Sequence, residues 1–311
     1  MRQTAWPHPP DGRRGMSKRT RDNLVAYSFI APNFLGFFII TLIPMVVSFV
    51  LSLFEWNGAT DMKWVGLDNF SSLFAKHSKF PIALGNTLLY VLGTVPLTMI
   101  CALALAMLLN KKLRGRNFFR TVAFFPYVAS LVAVSVVWRN IFNPNYGPLN
   151  NTIASLLGVE LSALPQWGLG AWALPSVILF TVWKNMGYYM VIFLAALQGT
   201  NPELYEAADI DGAGAWRKFR SITLPQIAPA TFFVTMMLII NSFKVYDIFI
   251  NIFAGPDNTL TDASRVLVYE IYNSAFKSLN YGFASAQAII LFVLVLGITL
   301  VQFSVEKRVT E

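Results

Sequence analysis

Two groups of polar residues interrupt an otherwise apolar chain. The first is contiguous: residues 201–225 read NPELYEAADIDGAGAWRKFRSITLP. Asn201 can cap a helix, Pro202 suits its first position, and Glu203 and Glu206 occupy early turns where the helix dipole favours acids. Gly212 and Gly214 end it. Leu204, Ala207, Ala208 and Asp211 recur at steps of three and four, so they share a face, and the alanines permit close docking. The spacing predicts a short helix offered to a groove on another molecule. Trp216 to Ile222 then resume a basic, apolar stretch, and Pro225 falls where the next long helix is expected to begin. The second group is dispersed: Thr181, Lys184, Asn185, Tyr188 and Tyr189 in one apolar run, and Asn241, Ser242, Lys244 and Asp247 in another. Polar side chains at membrane depth are expensive and mark pathways. Amides and hydroxyls suit a solute rich in hydroxyls, with aromatic rings to cover its faces. Asn241, Lys244 and Asp247 stand three apart and are expected on one helical face. Against this stand plainer roles: a Lys244–Asp247 pair near the interface, and Lys184 reaching along its own stem to water.

Other chemistries lack their residues. No Gly-x-x-x-x-Gly-Lys-Ser/Thr phosphate loop occurs, so ATP has to be handled elsewhere. The two histidines, His8 and His77, lie outside the apolar runs, and no carboxylate or Cys/His cluster offers a catalytic or metal site; neither an enzyme nor a cofactor is expected. Cys101, the single cysteine, sits within an apolar run as a small hydrophobe.

The elements that position these residues follow from composition. Of 311 residues, 55% are hydrophobic and 13% charged, about half the charged share of a soluble domain. Hydrocarbon about 30 Å thick accepts such a chain if each crossing supplies about 20 apolar residues. Six spans are expected near 25–53, 86–109, 118–142, 171–197, 228–251 and 283–304. The first is too long for a signal h-region and stays as an anchor. These runs are too long for the ten-residue alternating strands of a barrel, so the fold class is an all-α integral membrane protein.

Lys and Arg set the orientation. The N-terminus, the 111–120 connection, the 217–220 segment and the tail hold sixteen, and the alternate connections hold six. Both termini and the 201–225 loop are thus expected in the cytoplasm. The net charge of +8 is topological; nucleic-acid binding would want a basic, aromatic-laced face on a soluble domain. Residues 1–23 are expected as a largely disordered cytoplasmic segment, with Met16 resembling a start ahead of the first helix. Residues 24–311 form the membrane domain, with a core at about 80–305 and the loop at 199–227.

The loop also carries a resemblance. Glu206-Ala207-Ala208, Gly212, Ile222, Leu224 and Pro225 match Glu-Ala-Ala, three residues, Gly, nine residues, Ile-x-Leu-Pro without deviation. Seven such positions coincide by chance roughly once in a hundred million starts. This pattern resembles the permeases of ATP-binding-cassette (ABC) importers, in which the loop is a coupling helix seated in a cleft of the ATPase. The resemblance implies the type I, MetI-like permease fold in a bacterial or archaeal cytoplasmic membrane. It also implies a second permease subunit, an ATPase dimer and an extracytoplasmic solute-binding protein as partners, with span one packed along the second permease.

Trp64-Val65-Gly66-Leu67-Asp68-Asn69-Phe70, Leu194-Ala195-Ala196-Leu197-Gln198 and Lys244-Val245-Tyr246-Asp247 with Gly255-Pro256 are similar to the carbohydrate-uptake branch, the maltose and glycerol-phosphate permeases. Ala254 and Thr200-Asn201 depart from that branch's usual Gly-Gly-Pro and Ile-Pro. In the maltose type, mid-membrane residues beside the coupling loop contact sugar, which favours Asn185 and Asn241 over the lysines. The rival is a secondary transporter or channel, which would need membrane-embedded acids or inverted repeats. Asp247 is the sole acid available, and that reading leaves the patterned loop unexplained.

Overall fold

A computed structural model describes residues 18–111, 113–253 and 260–310. Residues 1–17 with Met16, Lys112, and Ala254, Gly255 and Pro256 lie outside the described residues. The chain divides after Val50 into two units. In the first, α1 (Lys18–Phe37) passes through a π segment (Phe38–Leu42) into α2 (Ile43–Leu51), with Pro32 inside α1. Side chains such as Phe29 and Ile40 are exposed, as lipid-facing residues are.

The second unit opens with a two-stranded hairpin, β1 (Phe54–Glu55) antiparallel to β2 (Lys63–Trp64), then α3 (Asp68–Ser72). Helices follow as α4 (Phe80–Asn110), α5 (Arg116–Val128), α6 (Leu131–Ile141), α7 (Pro148–Leu157) and α8 (Ala173–Gln198). Beyond them come α9 (Pro202–Ile210), α10 (Ala215–Lys218), α11 (Leu224–Gln226), α12 (Ala228–Phe243), α13 (Asp247–Phe253), α14 (Leu267–Tyr272) and α15 (Tyr281–Thr310). Among the described residues four helical stretches are long and apolar enough to cross a membrane, and the number rises to six if each of two bent pairs counts as one span.

Breaks between helices correct several expectations. The third span is not one helix: α5 and α6 meet at 96°. Pro126 lacks the N–H that would continue the ladder, and Ala129 and Ser130 are extended (ψ 145° and 123°). At 1.5 Å per residue neither piece alone spans hydrocarbon. Likewise the fifth span is not continuous over 228–251. Helix α12 stops at Phe243, residues 244–246 are non-helical, and α13 starts at Asp247. Asn241, Lys244 and Asp247 therefore do not share one helical face. Pro225 does not open the fifth helix either: it lies in α11, and the segment 215–226 meets α12 at 72° through Ile227.

In lipid, hiding one alkyl side chain against another gains little over hydrocarbon, so association rests on close approach and complementary packing. Small residues supply it. A Cβ on Gly187 of α8 would stand 1.8 Å from the Ala123 carbonyl oxygen of α5, and one on Gly93 of α4 would stand 2.6 Å from Ile178 of α8. Around these contacts Ala102 and Ala106, Met190 and Phe193, and Ile227 and Val234 join α4, α8 and α12 in one buried cluster. At the far end Asn69, from the Trp64–Phe70 segment, donates to the Ser52 and Phe54 carbonyls (2.8 and 2.9 Å), and Gly282 leaves room for that same Phe54 carbonyl.

Candidate functional site

The 201–225 loop folds as its residues dictate. Asn201 Oδ1 accepts from Glu203 N (3.0 Å), Pro202 opens α9, and Glu203 lies in the first turn. At the other end Gly212 has φ +69°, with Ala213 N donating to Ala208 O (2.8 Å) and Gly212 N to Asp209 O (3.1 Å). That pair of bonds is a Schellman cap, which asks for a left-handed residue at the position Gly212 holds. A Cβ at Gly212 or at Gly214 would meet nothing within 4 Å, so both face open space. Tyr205 and Thr223 hydroxyls (3.0 Å), Asn201 N to Gln226 Oε1 (3.0 Å), and a Lys218–Asp209 ion pair tie α9 back to the segment before α12.

Of the expected docking face, Leu204, Ala207 and Asp211 are exposed and Ala208 is half-buried. Ile210 and Trp216, 88% and 71% exposed, extend the apolar surface outside the long helices. Glu206, also exposed, lines a cavity of about 710 Å³ with Asn110, Lys111, Leu197 and Tyr205, where the loop meets the ends of α4 and α8. Ile222 and Leu224 are half-buried and Pro225 exposed, with Leu224 packed on the central cluster.

The dispersed residues converge on a second cavity, of about 470 Å³, between α4, α5–α6, α8 and the α12–α13 break. Thr181, Asn185, Tyr189, Asn241, Ser242, Lys244 and Asp247 all line it. Tyr90, Tyr127 and Tyr246 join them, none of which is among the expected pathway residues. Tyr90 donates to Thr181 Oγ1 (3.1 Å), which fixes one wall. Lys244 follows the C-terminus of α12 and Asp247 opens α13, each beside the helix end whose dipole suits its charge. Among the described residues no ion pair joins these two, so the plain pairing does not form.

Two expected residues stand behind the wall. Tyr188 stacks on Tyr127 with ring centroids 4.4 Å apart and planes 14° from parallel. Lys184 is buried and does not reach water. Its ammonium donates to the carbonyls of Pro126 (2.9 Å), Tyr127 (3.4 Å) and Ala129 (3.1 Å), oxygens freed where α5 ends. A cation on a helix C-terminus is compensated by carbonyl dipoles without a counter-ion. Lys184 thereby holds the break that brings Tyr127 and Leu131 to the cavity. The lysine clamp is not legible in the sequence, because its partners lie more than fifty residues apart.

Comparison with known proteins gives the family. Residues 94–311 match the family described as the inner membrane component of binding-protein-dependent transport systems. The probable ABC transporter permease protein YesP of Bacillus subtilis (strain 168) is 36% identical over 284 residues, covering 91% of this chain and 90% of that protein. The diacetylchitobiose uptake system permease protein NgcF of Streptomyces coelicolor is 33% identical over 326 residues, covering 98% and 90%. A solved bacterial alginate ABC transporter, in complex with an alginate pentasaccharide-bound periplasmic protein, superposes with TM-score 0.81 at 25% identity, covering 95% of this chain and 98% of its own. Apolar spans, bent helices and a Glu-Ala-Ala loop thus belong together, and the chain is a member of the inner membrane component family of binding-protein-dependent transport systems, a permease subunit of an ABC importer.

Proposed function

We propose that this chain carries a saccharide or sugar-like solute across the cytoplasmic membrane as one of two permease subunits. The observation that carries this reading is the cavity itself. Asn185 and Asn241 can each donate and accept, Thr181 and Ser242 add hydroxyls, and Tyr90, Tyr127, Tyr189 and Tyr246 supply ring faces. Sugars offer vicinal hydroxyls on an apolar ring, and this lining answers both features. The names of the diacetylchitobiose permease and the alginate transporter point to the same substrate class.

In this reading an extracytoplasmic binding protein delivers the solute and an ATPase dimer docks on the Leu204–Trp216 surface. Closure of the ATPases moves α9, and the Tyr205–Thr223 and Asn201–Gln226 bonds pass that movement to α12 and its cavity residues. In the same reading the termini lie in the cytoplasm, which the sixteen-to-six distribution of basic residues supports. A cysteine replacing Trp216 should resist an impermeant maleimide in intact cells while one replacing Lys63 reacts; the reverse labelling would invert the topology.

The function is tested with the assembled transporter in proteoliposomes, supplied with binding protein, ATP and labelled oligosaccharides. ATP-dependent uptake of an oligosaccharide, with KM raised by Asn241→Ala, is the expected result. Uptake confined to amino acids or ions, or a KM indifferent to both Asn185→Ala and Asn241→Ala, would remove the saccharide reading.

A further inference from the structure

A third cavity shares no lining residue with the two just described. It has a volume of about 450 Å³, lies between α4, α5 and α8, and is walled by apolar groups, among them Leu105, Leu109, Leu113, Val122 and Trp183. One end of it is basic. The chain reverses there between α4 and α5, and the carbonyls that hold the reversal belong to cavity residues. Lys111 N donates to Leu108 O (3.4 Å), Arg116 N to Leu113 O (3.4 Å), and Arg120 Nη2 to Leu109 O (3.0 Å).

Lys111 shares the loop cavity with Glu206 and Asp209, whereas among the described residues Arg114, Arg116 and Arg120 line no cavity with an acid. No Asp or Glu occurs anywhere from residue 69 to residue 159, and Lys111, Arg114, Arg116 and Arg120 take part in none of the ion pairs among the described residues. Arg120 Nε is buried and lacks a hydrogen-bond partner. The first turn of α5 has neither a capping side chain nor an acid, so its free N–H groups add to the positive field. A basic turn alone would only orient the chain in the membrane. The apolar cavity opening beside it asks for a ligand with a hydrocarbon tail and an anionic head.

We propose that this groove is a binding site for an anionic phospholipid, an acyl chain lying between α4, α5 and α8 and the phosphate resting on Arg114, Arg116 and Arg120. Basic pockets between membrane helices bind anionic headgroups by the same chemistry. The occupant is lipid rather than the second permease because the charge complementarity is concentrated at the membrane-surface end and the rest of the wall is plain hydrocarbon. The site is independent of the saccharide reading.

The test is native mass spectrometry of the whole transporter complex in mild detergent, with phosphatidylglycerol and phosphatidylcholine added as probes. Wild type should retain phosphatidylglycerol preferentially, and the double variant Arg114→Gln/Arg116→Gln should retain at least about fivefold less of it, two phosphate contacts being lost. Arg139→Gln, at the opposite end of the α5–α6 pair, should change nothing. Val122→Trp fills the groove and should lower retention of both lipids. Equal phosphatidylglycerol retention by wild type and the double variant would overturn the site. Retention insensitive to Val122→Trp but displaced by inorganic phosphate would overturn the lipid and leave a phosphate site. A benzophenone on Val122→Cys should cross-link lipid, and an adduct to the second permease would overturn the proposal.

Discussion

The proposed coupling loop and the proposed solute cavity are built in opposite ways. The loop takes its functional residues from 25 consecutive positions, and each has a local reason: a cap at Asn201, a proline at the first turn, a left-handed glycine at 212. The cavity gathers its residues from α4, α5–α6, α8, α12 and α13, and two of its walls exist only because helices break. A surface that must be recognised by another protein can be short and self-supporting. A pathway that must open between helices has to be assembled from distant parts, held by groups that never touch the solute.

That contrast sets the expected scale of damage. Changes on the loop should abolish coupling while sparing the subunit. Glu206→Lys or Gly212→Asp should lower uptake by about a hundredfold, the full range of a typical coupling energy. Amounts of subunit in the membrane should stay near normal, since a Gly212 side chain would meet nothing within the chain and the left-handed backbone there costs an aspartate only about 1–2 kcal/mol. Uptake assays alongside immunoblots check this, and a fall in both together would erase the distinction drawn between the regions.

Next in size is Gly187→Ala. Its methyl group would stand 1.8 Å from the Ala123 carbonyl oxygen, so α5 and α8 must separate, at a cost of about 1–3 kcal/mol for overpacking. A lower melting temperature in detergent is expected, with loss of uptake following loss of folded protein.

Lys184→Met should act between structure and function. It strands three carbonyls at the α5 break, costing roughly 3 kcal/mol, and should raise the KM for solute because Tyr127 is no longer held in place. Lys184→Arg, which keeps charge and donors, should restore KM in part. A thermal shift without any change in KM would make Lys184 a structural clamp alone.

Asn241→Ala removes contacts worth about 1.4 kcal/mol, so a roughly tenfold rise in KM with little change in stability is expected. The smallest effect concerns the loop before α14. Lys79 hydrogen-bonds Asp262 (2.7 Å) and, with Arg265, holds its carboxyl below the usual value of 3.8. The folded form thus favours the ionised acid. This stabilisation is present above pH 3.8 and fades as pH falls through the lowered folded value. Lys79→Met should therefore reduce stability slightly at neutral pH and not in strong acid, as melting curves across pH 2–7 would record.

Legibility in the sequence follows the same division. Six apolar runs, the helix 202–210 and its glycine stop could be read because period, caps and composition are local properties. Asn185 and Asn241 could be read because an amide within a long apolar run is conspicuous. Tyr127 could not, since a tyrosine beside Pro126 reaches the cavity only after α5 and α6 bend by 96°. Lys244 and Asp247 met at the cavity by another route than the one expected. Helical spacing placed them on one face, whereas a break over 244–246 brings both to it from the ends of two helices. Lys184 shows the limit most plainly: a lysine in an apolar helix signals a special environment, and only the tertiary structure reveals three carbonyls waiting for it.

The central claim is that the 201–225 loop is where an ATPase grips this subunit. Its most direct test is recovery of the tagged protein from its own cells in gentle detergent, with mass spectrometry of whatever accompanies it, for wild type and Gly212→Asp at equal expression. The account predicts an ABC ATPase and a second permease with wild type, and with the variant the same permease but much less ATPase. Equal ATPase recovery with both, together with undiminished uptake by the variant, would contradict it.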